Sequence, residues 1–271
     1  MNWKKTKSIF IICFLLLNAF LVFELYMRQQ DEEAQGITGS GKGGGQTNFQ
    51  MTAQIPPTPD HVTFLRGQRI DFNQEKNTLA LLTGSNRNSG QKIKIGNDGM
   101  ELSSVLKGSF SGSLKNTDLQ KNVLGLVYQG QSYNYWHADR KAGTTDFTQL
   151  YNGHPVFISQ RSNIRMLQFT KNAQRITGYR QSYFRFRQVN HVDIISAKMA
   201  ISNLAENTNL LEDGHPTIKV IELSYMNLVG DAGSDPLIFI PAWHIVVQTG
   251  HHLQEFFVNA MSGNIQQLDG P

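Results

Sequence analysis

Residues 190–204 read NHVDIISAKMAISNL and carry the clearest amphipathic helix pattern in the body of the chain. Asn190 can cap this helix, with Asp193 reaching back towards it. The apolar residues of one helix face recur at spacings of three and four: Ile194, Ala197, Ile201 and Leu204. Because strand-like segments lie on both sides of this helix, the stretch predicts an α+β fold.

The segments around the helix predict strands, because they are short, rich in β-branched and aromatic residues and bounded by turn residues. Before the helix, the expected strands are 78–83, 91–95, 123–128, 133–136, 156–159, 164–170 and 175–187; after it, they are 217–228, 238–247 and 254–260. Residues 60–73 predict one further short helix. We therefore expect a β-rich body with antiparallel sheets and packed helices.

The body is expected to contain two parts. Residues 143–153 are polar and rich in turn residues, and they predict a boundary between a subdomain at 59–150 and a second at 151–271. Residues 28–58 precede both, and six glycines lie between positions 36 and 45. This composition is typical of a flexible linker.

A long apolar run lies near the N-terminus. Residues 9–26 read IFIICFLLLNAFLVFELY, interrupted only by Asn18 and Glu24. A helix of this length spans ~27 Å, close to the ~30 Å thickness of the hydrocarbon layer. A cleaved signal peptide is the alternative, but its apolar region is usually shorter and a small-x-small cleavage site should follow. We therefore predict a transmembrane helix at residues 9–27.

The positive charge of the chain is concentrated around this run. The formal net charge is +4, of which residues 1–30 contribute +3 and residues 31–271 contribute +1. Lys4, Lys5 and Lys7 precede the run, and positive residues favour the cytoplasmic side. We expect a cytoplasmic N-terminus at residues 1–8, a single span in the cell membrane and an extracellular body. The nearly neutral body and this topology argue against nucleic acid as a partner.

One polar side chain lies near the middle of the predicted span. An unpaired amide is costly in the membrane, and a neighbouring helix can satisfy the Asn18 side chain. The residues that share its helix face form a candidate docking face for a partner helix: Ile11, Phe14, Asn18, Leu21, Val22 and Leu25. The alternative is that Asn18 bonds to the backbone of its own helix.

Motifs for catalysis and metal binding are scarce. The only cysteine, Cys13, lies in the apolar run, which excludes a disulfide scaffold and a cysteine zinc site in the body. Neither HExxH nor Gly-x-Ser-x-Gly occurs in the sequence. His251, His252 and Glu255 are close together, but the strand-like flanks favour a turn between two strands. We predict no catalysis, no metal and no cofactor.

One region has an uneven charge distribution. Residues 161–187 contain seven basic residues and no acidic one. Strand alternation predicts Phe184 and Phe186 towards the core and the arginines outwards. The candidate polyanion-binding face, for anionic lipid or a wall polyanion, consists of Arg175, Arg180, Arg185 and Arg187. The alternative is a solvated face whose arginines pair with acidic residues elsewhere.

Four motifs resemble those of the YycI (WalI) family. They are MNWKKTKSI at residues 1–9, running into the apolar segment; ITGYRQSY at 176–183; IELSY at 221–225; and PAW at 241–243. The resemblance implies a Gram-positive, single-pass membrane protein that works with YycH to modulate the WalK sensor kinase of cell-wall metabolism. It also implies an extracellular α+β body of two subdomains without known catalysis.

Three hypotheses of function follow from the sequence and this resemblance. The first is a kinase-accessory protein with a WalK-like sensor histidine kinase and a YycH-like protein as partners. The second is an extracellular sensor domain that binds a cell-wall fragment or a peptide. The third is an extracellular enzyme or its inhibitor, which convergent acidic residues in a cleft would favour.

Overall fold

The computed structural model describes residues 14, 15, 17, 18, 20, 21, 49–83, 90–159, 162–207, 215–227 and 235–267. The chain divides into two compact units, Met1–Asn48 and Phe49–Pro271. In the first unit, all six described residues are helical. None of the helices that the described residues form has both the length and the apolar character needed to cross a membrane. Most of the span expected at residues 9–27 lies outside the described residues.

The second unit is β-rich, with fourteen strands and three α-helices among its described residues. The strands are β1 (Gln50–Met51), β2 (Val62–Arg69), β3 (Gln91–Ile95), β4 (Leu102–Ser111), β5 (Tyr133–Asp139), β6 (Thr144–Tyr151), β7 (His154–Ile158), β8 (Leu167–Asn172), β9 (Arg175–Gln181), β10 (Phe184–Val192), β11 (Thr217–Asn227), β12 (Leu237–Thr249), β13 (His252–Asn259) and β14 (Ile265–Gln267). The helices are α1 (Lys76–Thr83), α2 (Thr117–Leu124) and α3 (Ala197–Glu206).

The strands join into one mixed sheet. Its main path runs β10-β2-β12-β11-β7-β6-β8-β9-β4-β3, with β5 beside β6, β13 beside β12, β14 beside β13 and β1 beside β11. The pairs β1–β11 and β7–β11 are parallel, and the other pairs are antiparallel. The α+β class is therefore confirmed, whereas a purely antiparallel sheet was wrong. The residue pattern of a single strand does not determine whether its neighbour in the sheet runs parallel or antiparallel to it.

Two large apolar clusters fill the folded unit. One packs under β4, β6, β8 and β9 and contains Phe147, Phe169 and Tyr179. The other lies between helix α3 and strands β11 to β13, with Trp243 fully buried in it. The indole Nε1 of Trp243 donates to the carbonyl of Ile195 at 2.9 Å, so its buried polar atom is satisfied. Core packing explains this tryptophan.

The helix expected at residues 60–73 is wrong, because this segment forms strand β2. It pairs with β10 along its whole length and with β12 at residues 65–67. Gly67 lies directly beneath Phe184, Phe186 and Phe239, where a larger side chain has no room. The apolar residues of this segment have helical spacing, but backbone pairing with β10 on one edge and β12 on the other stabilises the strand instead.

Two expected strands do not form. Residues 78–83 belong to helix α1. Residues 123 and 124 end helix α2, and residues 125–128 form turns after it. The signal for α2 is Asn116, whose Oδ1 accepts from the backbone N–H groups of Asp118 and Leu119 at 3.0 and 3.2 Å. In this segment the capping asparagine is the better guide, because it predicts the helix that forms. The apolar residues at 123–128 alone favour a strand.

The helix expected after Asn190 is confirmed as α3, but it starts later than expected, at Ala197. Ser196 is its N-cap, with Oγ accepting from the N–H of Met199 at 3.2 Å. Asn190 instead adopts a left-handed conformation with φ 44°, at an irregularity in the pairing of β10 with β2. Strand β10 continues to Val192, so Asn190 lies within this strand and does not cap helix α3.

The expected segment boundaries also differ from the observed elements. Residues 143–153 contain strand β6 and its tight turn into β7, not a loop between domains. Strand β1 lies inside the range 28–58 expected as linker, and it pairs with β11. Strands from 59–150 and from 151–271 are neighbours in the sheet at β2–β10, β2–β12, β6–β7, β6–β8 and β4–β9.

Gly178 gives a test of this packing. It lies in β9 opposite Val105 of β4, and an added Cβ would press on the backbone carbonyl of Ser104 inside van der Waals contact. We expect Gly178→Ala to lower the free energy of unfolding by about 1–3 kcal/mol, because a backbone atom must move. Gly90→Ala is the matched control, since its Cβ would meet Gly108 N at an ordinary 3.5 Å. Denaturant titration measures both variants, and equal stabilities would contradict the prediction.

Candidate functional site

The middle of the sheet forks at Thr148. Strand β6 pairs with β5 along one edge, and along the other edge it pairs with β8 at residues 144–147 and with β7 at residues 149–151. The two neighbours therefore diverge on either side of Thr148, whose hydroxyl donates to the carbonyl of Val156. A gap in the sheet results at this position.

A cavity of about 350 Å³ opens at the gap. We call it the fork cleft. Its apolar lining includes Phe147, Val156, Phe157 and Leu167, and its ionisable lining consists of His137, Asp139, Asp146 and Arg165. The wall formed by β5 also contributes Trp136. An apolar cavity with a few polar groups is the usual form of a small-molecule site.

Asp146 is the central carboxylate of the fork cleft. Its Oδ1 accepts from the side-chain amide of Gln168 at 2.8 Å, and its Oδ2 lies 3.6 Å from His137 Nε2. Burial raises the pKa of Asp146, against the opposing effects of Gln168 and of the charges on His137 and Arg165. The other ring nitrogen of His137, Nδ1, is buried and has no hydrogen-bond partner among the described residues. The cleft thus holds polar groups that a ligand can satisfy.

The other two charged groups of the fork cleft are held by backbone contacts. Asp139 Oδ1 accepts from the N–H of Lys141 at 2.7 Å and of Ala142 at 3.0 Å. The bond from Ala142 is the largest cause of the lowered pKa of Asp139. Arg165 donates through Nη1 to the carbonyls of Ser162 and Ile164. Within the described part of the chain, Arg165 forms no ion pair with a carboxylate.

A buried acid–histidine network lies behind Trp136. The indole Nε1 of Trp136 donates to Glu255 Oε2 at 2.8 Å. His244 Nε2 lies 3.4 Å from the same oxygen, and its Nδ1 donates to Glu222 Oε1 at 3.0 Å. Sheet register explains this arrangement, because Glu222 and Phe257 are the directly opposite neighbours of His244 on β11 and β13. The ring of Phe257 stacks on the imidazole at a centroid distance of 4.8 Å.

The interactions within this network oppose the effect of burial on the pKa values of His244 and Glu255. The largest effect on His244 is desolvation, which lowers its pKa, but the carboxylates of Glu222 and Glu255 together raise the pKa above its ordinary value. Desolvation raises the pKa of Glu255, and interactions with His244 and Trp136 outweigh it, so the pKa is lowered. His244 is therefore a buried imidazole between two carboxylates that favour its protonated form.

The candidate docking face is only partly described. Ile11, Val22 and Leu25 lie outside the described residues, whereas Phe14, Asn18 and Leu21 are helical and exposed. Asn18 Nδ2 donates to the carbonyl of Phe14 at 2.8 Å, which is the bond to its own helix given above as the alternative. This bond uses one amide hydrogen and leaves the other hydrogen and the carbonyl oxygen for a partner. Docking through this face stays a prediction.

The candidate polyanion-binding face is partly neutralised. Arg180 forms two hydrogen bonds with the Glu101 carboxylate, at 2.7 and 3.1 Å, and Arg185 forms one with Glu75 at 2.7 Å. Arg175 and Arg187 are exposed. The arginines are shared between β9 and β10, which are not neighbours in the sheet. Phe184 is buried and Phe186 half-buried, as alternation predicts. Polyanion binding itself stays a prediction.

The fork cleft was not visible in the sequence. Strand β6 lines this cleft, but its sequence TTDFTQLY is polar and lies within the segment 143–153 that predicts a turn-rich boundary. The available signal was the abundance of Thr, Phe and Tyr, which favour strands, and the neighbouring Trp136 and His137. His251 lies in the turn from β12 to β13, as expected. Among the described residues, no three potential ligands converge on a metal position.

Three comparisons relate the chain to known proteins. The family model described as YycI protein matches residues 46–261. No curated protein matches the sequence.

Three solved structures are similar to this chain in fold. An uncharacterized protein from Eubacterium rectale has 10% identity over 83% of this chain and 92% of that one, with a TM-score of 0.47. The YpeB C-terminal domain from Bacillus megaterium has 12% identity over 75% and 100%, with a TM-score of 0.41. YycH from Bacillus subtilis has 13% identity over 73% and 52%, with a TM-score of 0.39.

The acid–histidine network predicts a pH-dependent stability. The folded-state pKa of His244 is raised, so protonation of His244 stabilises the folded state. This stabilisation is complete below the unfolded-state pKa of about 6.5, and it is lost as the pH rises through the folded-state pKa. The folded-state pKa of Glu255 is lowered, so its contribution is present above about pH 4.3 and is lost as pH falls through that pKa. The network therefore stabilises most between these limits.

We expect His244→Gln to cost about 1–3 kcal/mol of unfolding free energy near pH 6, and less near pH 9. The value is below that of a fully buried pair because the Glu222 side chain is 43% exposed. Denaturant titration at both pH values provides the measurement. His251→Gln, at an exposed turn position, is the control. A loss from His244→Gln that is equal at both pH values would exclude an electrostatic contribution.

Proposed function

Because the chain belongs to the YycI family, we propose that it is a non-catalytic membrane accessory protein that modulates a WalK-like sensor histidine kinase. The match at residues 46–261 carries this proposal, since it extends from before β1 to just beyond β13. A YycH-like protein is the second proposed partner. The proposed contacts are made by the transmembrane helix and by the extracellular body.

The proposed location is the cell membrane, with the N-terminus in the cytoplasm and the body outside. Two features of the sequence support it: the apolar run at residues 9–26 and the three lysines that precede it. In this location the body can contact the extracellular part of a sensor kinase. The apolar helix can contact the kinase's own spans.

The acid–histidine network has a structural role in the described part of the chain. His244 is 7% exposed, both its ring nitrogens face carboxylates, and the rings of Phe157 and Phe257 pack against it. A histidine held in this way cannot reach a substrate proton, so its role is structural. Glu255 is engaged by Trp136 and His244 in the same way.

A second candidate function is supported by the fork cleft. It is an extracellular sensor domain that binds a cell-wall fragment or a peptide and transmits occupancy to the kinase. Trp136 lines the cleft and also bonds to Glu255, so one side chain joins the cavity to the network between β11, β12 and β13. A ligand that moves Trp136 would change contacts in the core of the folded unit.

The proposed topology predicts the result of a fusion experiment. A reporter that is active only outside the cytoplasm, fused after Pro271, should be active, because the three lysines keep the N-terminus inside. The same reporter fused after Lys7 should be silent. Silence of the fusion after Pro271, with the fused protein present in the cell, would overturn the proposed location.

The proposed helix contact predicts a loss on Asn18→Leu. If the remaining amide hydrogen or oxygen bonds to a partner helix, the substitution removes about 0.6–2 kcal/mol of association, or about 3–30-fold in affinity. The apolar run stays intact, so expression should be unchanged. The measurement is co-purification with the kinase and the YycH-like protein from solubilised membranes, together with kinase-dependent reporter output.

Leu17→Ala is the matched control, since Leu17 lies off the candidate docking face. It should have the smaller effect on co-purification. Full co-purification and full output with Asn18→Leu would show that the bond to Phe14 is the whole role of this amide. Contact with the kinase would then be assigned to the extracellular body. Failure of the wild-type chain to co-purify with either partner would overturn the accessory role.

A further inference from the structure

We propose that the fork cleft binds a small zwitterion, an amino acid or a dipeptide whose ammonium end meets Asp146 and whose carboxylate end meets Arg165. This proposal does not depend on the kinase-accessory role, because it rests on the lining of one cavity. It gives the cleft a ligand of defined charge and size.

Groups of both charge signs line the cleft, and among the described residues its guanidinium forms no salt bridge with its carboxylates. Asp146 and Asp139 contribute two carboxylates, and Arg165 contributes a guanidinium that forms no ion pair among the described residues. Asp146 Oδ2 has only the 3.6 Å approach of His137 Nε2, and Asp139 uses one oxygen for its turn. Each group therefore retains capacity for a charged partner.

A zwitterion satisfies this arrangement better than a neutral ligand or a single ion. An ammonium group can donate to Asp146 and Asp139 together, since it carries three hydrogens. A carboxylate can accept from the guanidinium hydrogens that do not bond to Ser162 and Ile164. A neutral sugar would displace water from the same groups and leave their charges unpaired, which is unfavourable in a partly buried site.

Size and lining limit the ligand to one or two residues. The cavity of about 350 Å³ is at the lower end of the range for small-molecule sites. Its floor includes Val156, Phe157 and Leu167, which are apolar and almost fully buried. A small apolar side chain on the ligand would pack there. The buried Nδ1 of His137, which has no partner in the described part of the chain, adds one further polar contact.

The experiment uses the full chain in detergent micelles and isothermal titration calorimetry. The probes are alanyl-leucine and leucyl-alanine, each in the L,L and D,D forms. Their N-acetylated and C-amidated forms, and N-acetylglucosamine, are the comparison ligands. We expect one site per chain for at least one free dipeptide, with Kd of about 1 mM or tighter. Blocking either end should weaken binding at least about tenfold, because a charge-assisted hydrogen bond is lost.

Variants then locate the site. Asp146→Asn preserves the shape and the bond from Gln168, yet it should abolish measurable binding, as should Arg165→Gln. Lys219→Gln is the control, because Lys219 is exposed on β11 and does not line the cleft. Melting temperatures confirm that each variant is folded. If a cleft variant does not fold, the comparison of free with end-blocked dipeptides on the wild-type chain still decides.

Three results would overturn the proposal. They are no heat of binding with any free dipeptide at about 5 mM, equal binding of free and end-blocked dipeptides, and binding of N-acetylglucosamine alone. Asn18→Leu should bind the dipeptides normally, since it is outside the cleft. Loss of dipeptide binding with intact co-purification therefore rejects this proposal alone, and the reverse result rejects only the accessory role.

Discussion

The folded unit depends on the pairing of strand β12. Its first residues pair with β2, while the rest pair with β11 on one edge and with β13 on the other. The side chains of this strand enter both large apolar clusters, with Leu237 and Phe239 in one and Trp243, Ile245 and Val247 in the other. Ala242 belongs to a third, smaller cluster with Phe157, Met226 and Phe257. Because a buried backbone must bond to a neighbour, the position of β12 fixes the positions of three other strands.

His244 places charge inside that framework. It lies on β12 between two carboxylates that belong to β11 and β13, so the ion pairs follow from the same register as the backbone bonds. The contact from Glu255 to Trp136 extends this polar chain to β5 and to the wall of the fork cleft. One wall of the cleft is therefore connected to strand β12 through the side chains of Trp136, Glu255 and His244. Its charged rim is set on the β6 hairpin and the segment leading into β8.

The sequence predicted the elements whose side chains are buried in a regular pattern. The expected bounds of strands β11, β12 and β13 agree with the observed ones to within two residues, because the apolar and β-branched residues of these strands fill the core. The segments that failed have short or mixed patterns: β2 has helical spacing, α1 and α2 are eight residues each, and β6 buries Thr145, Thr148 and Gln149 as well as Phe147. Composition alone does not distinguish polar residues that are buried in a strand from the polar residues of a turn. The fork cleft depends on β6, so it could not be predicted either.

The pairing of β2 has a kinetic consequence. Its partners lie about 120 to 170 residues later in the chain, at β10 and β12, so these contacts have a high contact order. During synthesis, β2 leaves the ribosome long before the strands that cover its two edges. An unpaired strand is a template for aggregation, and charged residues on it reduce this risk. Arg66, which is exposed in the folded unit, is well placed to protect the nascent chain until β12 is synthesised.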